Sequence, residues 1–196
     1  MNRKIYLASS SVWRASILKN AGMDVYILPP DVDEYSIVAD HPMKTAQLRA
    51  IAKGESVIEQ CGDHDILISA DQVVYMGAKI YDKPKTEEEW FERLCRFRGT
   101  GHDLTTAVSL FHRGKRIDIQ EHTKVWFRAD ISDQELRAYI TDGEARGCAG
   151  GYMVEQKGAW LIERVQGDWL NVVGLPLFAI LTELRGLGVV QLGWRQ

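Results

Sequence analysis

Hydroxyl side chains and an arginine stand where a short apolar run gives way to a helical pattern. Three serines (9–11) follow the run 5–8, and Arg14 lies in the first turn of a predicted helix that stops at Gly22. A strand, a hydroxyl-rich turn and a helix N-terminus direct backbone N–H groups at an anion, and a guanidinium suits phosphate. The pattern predicts an anion-binding turn, although a serine that only caps a surface helix produces it too.

Two acidic positions are candidates for cation binding or proton transfer. Glu34 belongs to the segment 31–34, Asp-Val-Asp-Glu, whose carboxylates repel one another unless a cation or basic group lies between them. The alternative is a solvated acidic turn. Asp71 follows the continuous apolar run 66–70, which predicts a buried strand with this carboxylate at its end, and extended chain is expected to continue over 73–75 toward a turn at Gly77. An acid at that position is a stronger indication of chemistry than a surface aspartate.

Two lysines are candidates for binding an anion, but the pattern around each leaves its role open. Lys53 lies within the helical spacing 42–61, where a single lysine usually faces solvent. Lys83 precedes Pro84 and is therefore held extended in a loop. Each could equally be an ordinary surface lysine.

Composition bounds the class of protein. The chain has 196 residues, 45% of them hydrophobic, which suits a single domain over 1–196 with a substantial core. A net charge of −3 excludes the broad basic surface of duplex-binding proteins, so no nucleic-acid partner is expected. Three cysteines without a CxxC pair, a first apolar run too short for a signal peptide and no membrane-length apolar stretch together predict a cytoplasmic protein with no membrane partner.

The remaining patterns mix helices with antiparallel strands. A second strand is expected over 23–28, a long hairpin over 103–111 and 117–127, and further strands over 152–155 and 160–165. Helices are expected after Thr86, after the capping box that begins at Ser132, and over 176–187. The order predicts an α/β fold with a mixed sheet. No P-loop, GxGxxG, HExxH or GxSxG motif occurs, which excludes several common nucleotide-binding and hydrolase classes.

Taken in order, the candidate residues resemble the Maf family of nucleoside triphosphate pyrophosphatases. Seven motifs carry this resemblance from residue 5 to about 186: Leu7-Ala-Ser9-x-Ser11-x-x-Arg14, Asp33-Glu34, Ser69-Ala-Asp71, Lys83-Pro84, Phe127-Arg128, Cys148-Ala-Gly150 and Val173-Gly-Leu-Pro176. The resemblance implies an elongated, two-lobed fold of the Maf/ITPase type with the active site in a cleft between the lobes. It also implies metal-dependent hydrolysis between the α and β phosphates, which yields a nucleoside monophosphate and pyrophosphate.

The resemblance assigns roles to the candidate residues. It implies that the phosphates are bound by four side chains, Ser9, Arg14, Lys53 and Lys83. It further implies that Glu34 and Asp71 bind a divalent cation, Mg²⁺ or Mn²⁺, both suited to carboxylate and phosphate oxygens. Asp71 is also the implied catalytic base that accepts the proton of the attacking water.

Three positions depart from the commoner family pattern and bear on the substrate. Trp13, Gln72 and Glu155 stand where members acting on dTTP and UTP carry Arg, Thr and Gln, and this set resembles the branch acting on 7-methyl-GTP. An indole face attracts the cationic base of 7-methyl-GTP, and a carboxylate accepts the two N–H donors of the guanine edge. The main reading of the sequence is therefore a 7-methyl-GTP pyrophosphatase acting in modified-nucleotide house-cleaning.

Other readings stay open at this point. Trp13 could anchor the core while Glu155 is a surface acid, which would favour a dTTP/UTP pyrophosphatase with an atypical pocket. A non-catalytic regulator that binds nucleotides or nucleic acid is the alternative from another class, and the pairing of Glu34 with Asp71 argues against it. The oligomeric state is not fixed by the sequence, and a homodimer stays open.

Overall fold

One seven-stranded sheet organises the chain in the computed structural model, which describes residues 3–189. Its strands are β1 (Ile5–Ala8), β2 (Val25–Ile27), β3 (Ile66–Met76), β4 (Lys79–Tyr81), β5 (Gly101–His112), β6 (Lys115–Phe127) and β7 (Ile162–Gln166). They are ordered β2-β1-β3-β5-β6-β7, with β4 paired to β3. The β2, β1 and β3 neighbours are parallel and all other pairs are antiparallel, so the predicted mixed α/β fold is confirmed.

Six α-helices surround the sheet within residues 3–189. They are α1 (Val12–Asn20), α2 (Pro42–Glu55), α3 (Glu87–Phe97), α4 (Asp133–Asp142), α5 (Trp169–Val173) and α6 (Leu177–Gly186). Several begin at the expected caps: Ser11 accepts a hydrogen bond from the Arg14 amide, and Ser132 with Glu135 forms the predicted capping box. No helix of this described part combines the length and apolar character that crossing a bilayer requires.

Two hydrophobic clusters lie at opposite ends of the β3–β5 pair. The first packs the start of β3 and the end of β5 against α1 and α6, and includes Ile66, Ile68, Leu110, Leu18 and Ile180. The second packs the other end against α3 and α4, and includes Val74, Leu104, Trp90, Phe97 and Leu136. Asp71 and Gln72 lie on β3 between these two groups, opposite Ala107 and Thr106 of β5. The division of the chain into one domain of two lobes stays a prediction.

Two predicted boundaries are wrong in the region that leads to the site. The helix expected over 42–61 ends at Glu55 and is followed by a 3₁₀ turn at Ile58–Gln60. The apolar spacing runs past the end of the helix because Val57, outside α2, is also buried and packs with Leu67 of β3. The expected strand end at Asp71 is also wrong, since β3 continues to Met76 and stays paired with β5 through Tyr75. The extended chain expected over 73–75 is the second half of this same strand, and the turn expected at Gly77 is confirmed.

The segment 152–155 is not a strand, contrary to the sequence prediction. Tyr152, Met153 and Val154 are apolar because they are buried in the second cluster, not because they alternate across a sheet. The strand expected over 160–165 begins only at Ile162, after the 3₁₀ turn Lys157–Leu161. Local apolar runs of this length do not distinguish a strand from a buried loop.

Candidate active site

All of the predicted site residues line one cleft of about 420 Å³. They are Ser9, Trp13, Arg14, Glu34, Lys53, Asp71, Gln72, Lys83 and Glu155. They reach it from six separate parts of the chain: the turn after β1 with the start of α1, the segment before α2, α2 itself, the middle of β3, the loop after β4, and the loop between α4 and β7. The cleft therefore brings together every residue to which the sequence assigns a role in the site.

A lysine between two carboxylates forms the most buried part of the cleft. The Nζ atom of Lys53 lies 2.7 Å from Asp71 Oδ1 and 2.8 Å from Glu34 Oε2. Lys53 is 5% exposed and Asp71 is 4% exposed, so this lysine does not face solvent as a mid-helix lysine usually does. Among the acids of this group, only Glu34 reaches the surface.

Close packing of α2 on the sheet places Lys53 at this position. Gly54 follows it on the helix, and a Cβ atom there would lie 2.2 Å from Phe111 Cε2. Only glycine permits this approach, because any side chain would push α2 away from β5. The same face of α2 carries Ala46 and Ala50, which pack on Val73 and Ala107.

Burial and neighbouring charges shift the pKa values of the two carboxyl groups, Asp71 and Glu34. Burial raises the pKa of Asp71 above its ordinary value, and the attraction of Lys53 and Arg14 offsets only part of that effect. Burial also acts to raise the pKa of Glu34, but the charge and hydrogen bond of Lys53 outweigh it and leave the pKa lowered. Asp71 Oδ2 is a buried oxygen for which the described residues supply no hydrogen-bond donor. An acceptor of this kind is available to a proton, a water or a cation.

Arg14 connects the serine turn to two other segments. Its Nη1 donates to Ala70 O at 2.8 Å and to Ser9 Oγ at 3.4 Å, and its Nε donates to Gly174 O at 3.0 Å. A guanidinium has five N–H donors, and these contacts use those on Nε and Nη1. Arg14 thus fixes the turn as well as supplying charge.

Gln72 is held by two neighbours that the sequence does not reveal. Its Nε2 donates to Thr106 Oγ1 at 3.0 Å and to the carbonyl oxygen of Asn171 at 2.5 Å. Because a backbone carbonyl can only accept, these contacts assign the amide orientation and turn its oxygen away from Asn171. The Gln72 carbonyl is then the group that can accept a hydrogen bond from a ligand.

The other end of the cleft is built from exposed side chains and a glycine-containing loop. Trp13 is 37% exposed and Glu155 is likewise exposed at the rim. Burial nonetheless raises the pKa of Glu155, and Glu144 adds to this effect. Side chains of α3 and α4 hold the loop beside Glu155 in place. Trp90 Nε1 donates to Gly151 O at 2.6 Å, and the Met153 amide donates to the hydroxyl of Tyr139 at 3.0 Å.

Lys83 is exposed at the cleft wall, and a buried arginine holds its loop in place. Arg93 Nη1 donates both to Asp82 O and to Ala149 O, which joins the lysine loop to the loop around Cys148. Arg93 could not be identified from the sequence, because it falls among the charged residues of α3. Neither could Thr106, whose position opposite Gln72 follows only from the register of β3 with β5.

Comparison with known proteins identifies the family. The model of the family described as Maf-like protein matches residues 4–187 of this chain. The chain belongs to the Maf family. Membership confirms the class that the seven motifs implied: this Maf protein is an enzyme, a hydrolase of the nucleoside triphosphate pyrophosphatase class.

Similar proteins in this family carry a pyrimidine nucleotide in their names. The dTTP/UTP pyrophosphatase of Thermoanaerobacter sp. (strain X514) is 33% identical over 184 residues, which is 93% of this chain and 95% of the relative. Those of Carboxydothermus hydrogenoformans and Geobacillus sp. (strain WCH70) are each 35% identical and cover 94% and 95% of this chain and 99% of their own lengths. These names favour the dTTP/UTP alternative over the main 7-methyl-GTP reading.

Solved structures resemble the chain over part of its length. A HAM1 protein from Coxiella burnetii aligns with a TM-score of 0.45 at 11% identity and covers 67% of this chain and 76% of its own. The Ham1 protein of Staphylococcus aureus aligns with a TM-score of 0.44 at 13% identity and covers 65% and 73%.

Proposed function

We propose that this Maf protein hydrolyses a nucleoside triphosphate between the α and β phosphates and releases pyrophosphate. The observation that carries the proposal is the convergence of Lys53, Glu34 and Asp71 opposite the turn of Ser9 and Arg14, within one cleft. Catalysis in such a site comes from positioning and from stabilising developing charge. The turn, Arg14 and Lys83 would hold the phosphates, and Asp71 would accept the proton of the attacking water.

A divalent cation fits the acidic side of this cleft. Asp71 Oδ1 and Glu34 Oε2 both contact one ammonium, so these oxygens lie close together, and the buried Asp71 Oδ2 has no donor among the described residues. No group of three or more acidic, histidine or cysteine side chains able to hold a metal occurs within residues 3–189. Mg²⁺ commonly uses one or two carboxylates with phosphate oxygens and water. Bound there, Mg²⁺ or Mn²⁺ would neutralise phosphate charge.

The base of the substrate is proposed from the similar proteins. Relatives that are 33–35% identical over nearly their whole length are named dTTP/UTP pyrophosphatases, and this supports dTTP and UTP as substrates here. The proposal includes a small nucleotide as the only ligand besides the metal. It also includes action in the cytoplasm, in keeping with the free thiols of Cys61, Cys95 and Cys148.

A second candidate substrate, 7-methyl-GTP, is favoured by the side chains at the rim. Trp13 presents a partly exposed indole that can stack on a cationic base. Glu155 lines the same cleft, and its carboxylate can accept two parallel hydrogen bonds from a guanine edge. The Gln72 carbonyl, freed by the contacts of its amide nitrogen, is a further acceptor.

A nucleotide panel tests both the reaction and the base. The protein is incubated with Mg²⁺ or Mn²⁺ and dTTP, UTP, GTP or 7-methyl-GTP, and pyrophosphate and orthophosphate are measured separately. The proposal expects pyrophosphate only, and no product in EDTA. Faster turnover of dTTP and UTP supports the primary substrate, whereas faster turnover of 7-methyl-GTP replaces it with the second. Release of orthophosphate, or full activity in EDTA, contradicts the proposed reaction.

A further inference from the structure

Lys53 occupies the space that the proposed function gives to a divalent cation. Its Nζ atom donates to Asp71 Oδ1 at 2.7 Å and contacts Glu34 Oε2 at 2.8 Å. We infer that the Lys53 ammonium is the internal counter-ion of these two acids and must leave them when metal and triphosphate bind together. The inference rests on the proposed function of the same cleft.

The ammonium and a divalent ion compete because they need the same oxygens. A carboxylate-bound Mg²⁺ or Mn²⁺ lies about 2.1 Å from its oxygen ligands, within the space where the ammonium makes both contacts. Lys53 and Asp71 are 5% and 4% exposed, so solvent screens the repulsion between the two cations poorly. The side chain rather than the helix must move, since Gly54 holds α2 against Phe111.

The triphosphate supplies the new partner that a displaced ammonium needs. Lys53 shares its cleft with the turn of Ser9 and Arg14, where the proposal places the phosphates. A lysine on a flexible four-carbon stem can exchange carboxylate for phosphate oxygens with small side-chain rotations. Metal alone would expel the ammonium without offering it an anion, whereas metal together with triphosphate offers one. Binding of the two ligands is therefore mutually dependent, with Lys53 as the coupling residue.

A purely structural Lys53 makes the opposite prediction. If the ammonium stayed between the acids in every state, any coupling between metal and nucleotide would come from the phosphate oxygens alone. Lys53→Met would then keep that coupling and would only weaken the fold. The two roles are therefore separated by metal affinity measured without turnover.

The test is a Mn²⁺ titration followed by electron paramagnetic resonance. Wild type and Lys53→Met are titrated alone and with the α,β-methylene analogues of UTP and 7-methyl-GTP, corrected for Mn²⁺ held by the analogue. We expect wild type to bind Mn²⁺ at least about ten-fold more tightly with an analogue present. Lys53→Met should bind Mn²⁺ alone about ten-fold more tightly than wild type and lose most of the coupling. The matched control is Lys44→Met, an exposed lysine of the same helix that contacts Gln47.

Thermal unfolding gives a second readout. Removing the ammonium leaves Glu34 and the buried Asp71 without their shared partner, so Lys53→Met should have a lower Tm than wild type in EDTA. Mn²⁺ should restore more of that loss than it adds to wild type. A variant that folds only with Mn²⁺ supports the inference. If the variant folds in neither condition, the wild-type titration decides, and equal Mn²⁺ affinity with and without both analogues overturns the inference.

The results separate this inference from the proposed function. Equal Mn²⁺ affinity in Lys53→Met and wild type overturns the role of Lys53 even when the enzyme releases pyrophosphate. Release of orthophosphate overturns the proposed reaction but leaves the competition between lysine and metal intact.

Discussion

The two ends of the cleft are built differently. At the end proposed to hold the phosphates (the phosphate end), Lys53 and Asp71 are buried on a helix and a central strand, and Arg14 is hydrogen-bonded to three segments. At the end proposed to hold the nucleobase (the base end), Trp13 and Glu155 are exposed at the rim. A helix and a central strand fix the charged groups of the phosphate end, whereas the residues proposed to face the base lie at a helix start and on a loop.

This difference explains which function the residues reveal. Buried charged groups need a partner of opposite charge. Replacing one of them alone leaves the other buried and unpaired, which destabilises the fold. Exposed side chains at a rim can change with little cost to stability. In the proposed function, the phosphate end carries the reaction and the base end carries the choice of substrate. Changes at the phosphate end should therefore affect every nucleotide, whereas changes at the base end should affect mainly the choice among nucleotides.

The largest effect is expected at the phosphate end from Asp71→Asn. The substitution keeps the shape of the side chain but removes the proposed base and one metal-binding charge, so kcat should fall by about 10²- to 10⁴-fold for every nucleotide. Steady-state pyrophosphate release measures this, with Asp63→Asn, an exposed acid, as the control. Equal turnover in Asp71→Asn would remove Asp71 from the mechanism.

At the base end, the double change Trp13→Arg with Glu155→Gln should act on specificity alone. Loss of a cation–π contact and of a charge-assisted hydrogen bond costs together about 3 kcal/mol, if the two contributions add. kcat/KM for 7-methyl-GTP should fall about 10²-fold relative to UTP. The matched control is Trp160→Arg with Glu163→Gln, an exposed pair outside the cleft lining. A uniform fall for all nucleotides would mean that Trp13 and Glu155 support the fold rather than select the base.

Arg14→Lys should affect stability and binding together, because Arg14 both holds the turn and faces the cleft. An ammonium cannot reproduce the bonds to Gly174, Ala70 and Ser9. Loss of bonds to buried acceptors should lower the free energy of unfolding by about 1–3 kcal/mol, and KM should rise. Urea unfolding and steady-state kinetics measure both effects, against Arg185→Lys at an exposed site. An unchanged unfolding free energy would contradict the clamping role of Arg14.

The smallest expected effect is on the pH dependence of the free energy of unfolding, and it arises from His102 on β5. His102 is fully buried, stacks on Phe97 and contacts the Tyr152 hydroxyl at 2.7 Å, and burial lowers its pKa to about 3. The unfolded chain, with an ordinary pKa near 6.5, binds a proton that the folded chain does not. This group's contribution is complete above about pH 6.5 and is lost as the pH falls toward 3.

Between pH 7.5 and 5.5, His102 should therefore account for a loss of about 1.4 kcal/mol in the free energy of unfolding. Urea unfolding of wild type and His102→Gln at both pH values measures it. The variant should lose this part of the pH dependence, whereas His64→Gln, an exposed histidine, should keep it. Equal pH dependence in wild type and His102→Gln would show that His102 is protonated in the fold.

Three features could be predicted from the sequence: the mixed sheet, the starts of most helices, and the candidate residues that line the cleft. Serine and threonine caps and the glycine at the end of α4 act locally, so Ser11, Ser132 and Gly143 could be read directly. Contacts between distant segments could not. The burial of Lys53 depends on Gly54 meeting Phe111, and the position of Gln72 depends on the register of β3 with β5.

The nucleobase that the enzyme binds is the feature hardest to predict from the sequence, because it too depends on contacts between distant segments. Trp13 and Glu155 are separated by most of the chain, and they line one cleft only because a loop is held in place by Trp90 and Tyr139. No local pattern encodes that loop, and the sequence prediction made part of it a strand.

The most direct test of the proposed reaction follows the oxygen of the attacking water. The enzyme turns over UTP, or whichever panel nucleotide reacts fastest, in ¹⁸O-labelled water, and the products are separated and analysed by mass spectrometry and phosphorus NMR. Attack on the α phosphorus, next to Asp71, places the label in the nucleoside monophosphate and leaves pyrophosphate unlabelled. Label in pyrophosphate, or any labelled orthophosphate formed directly from the triphosphate, would contradict the account.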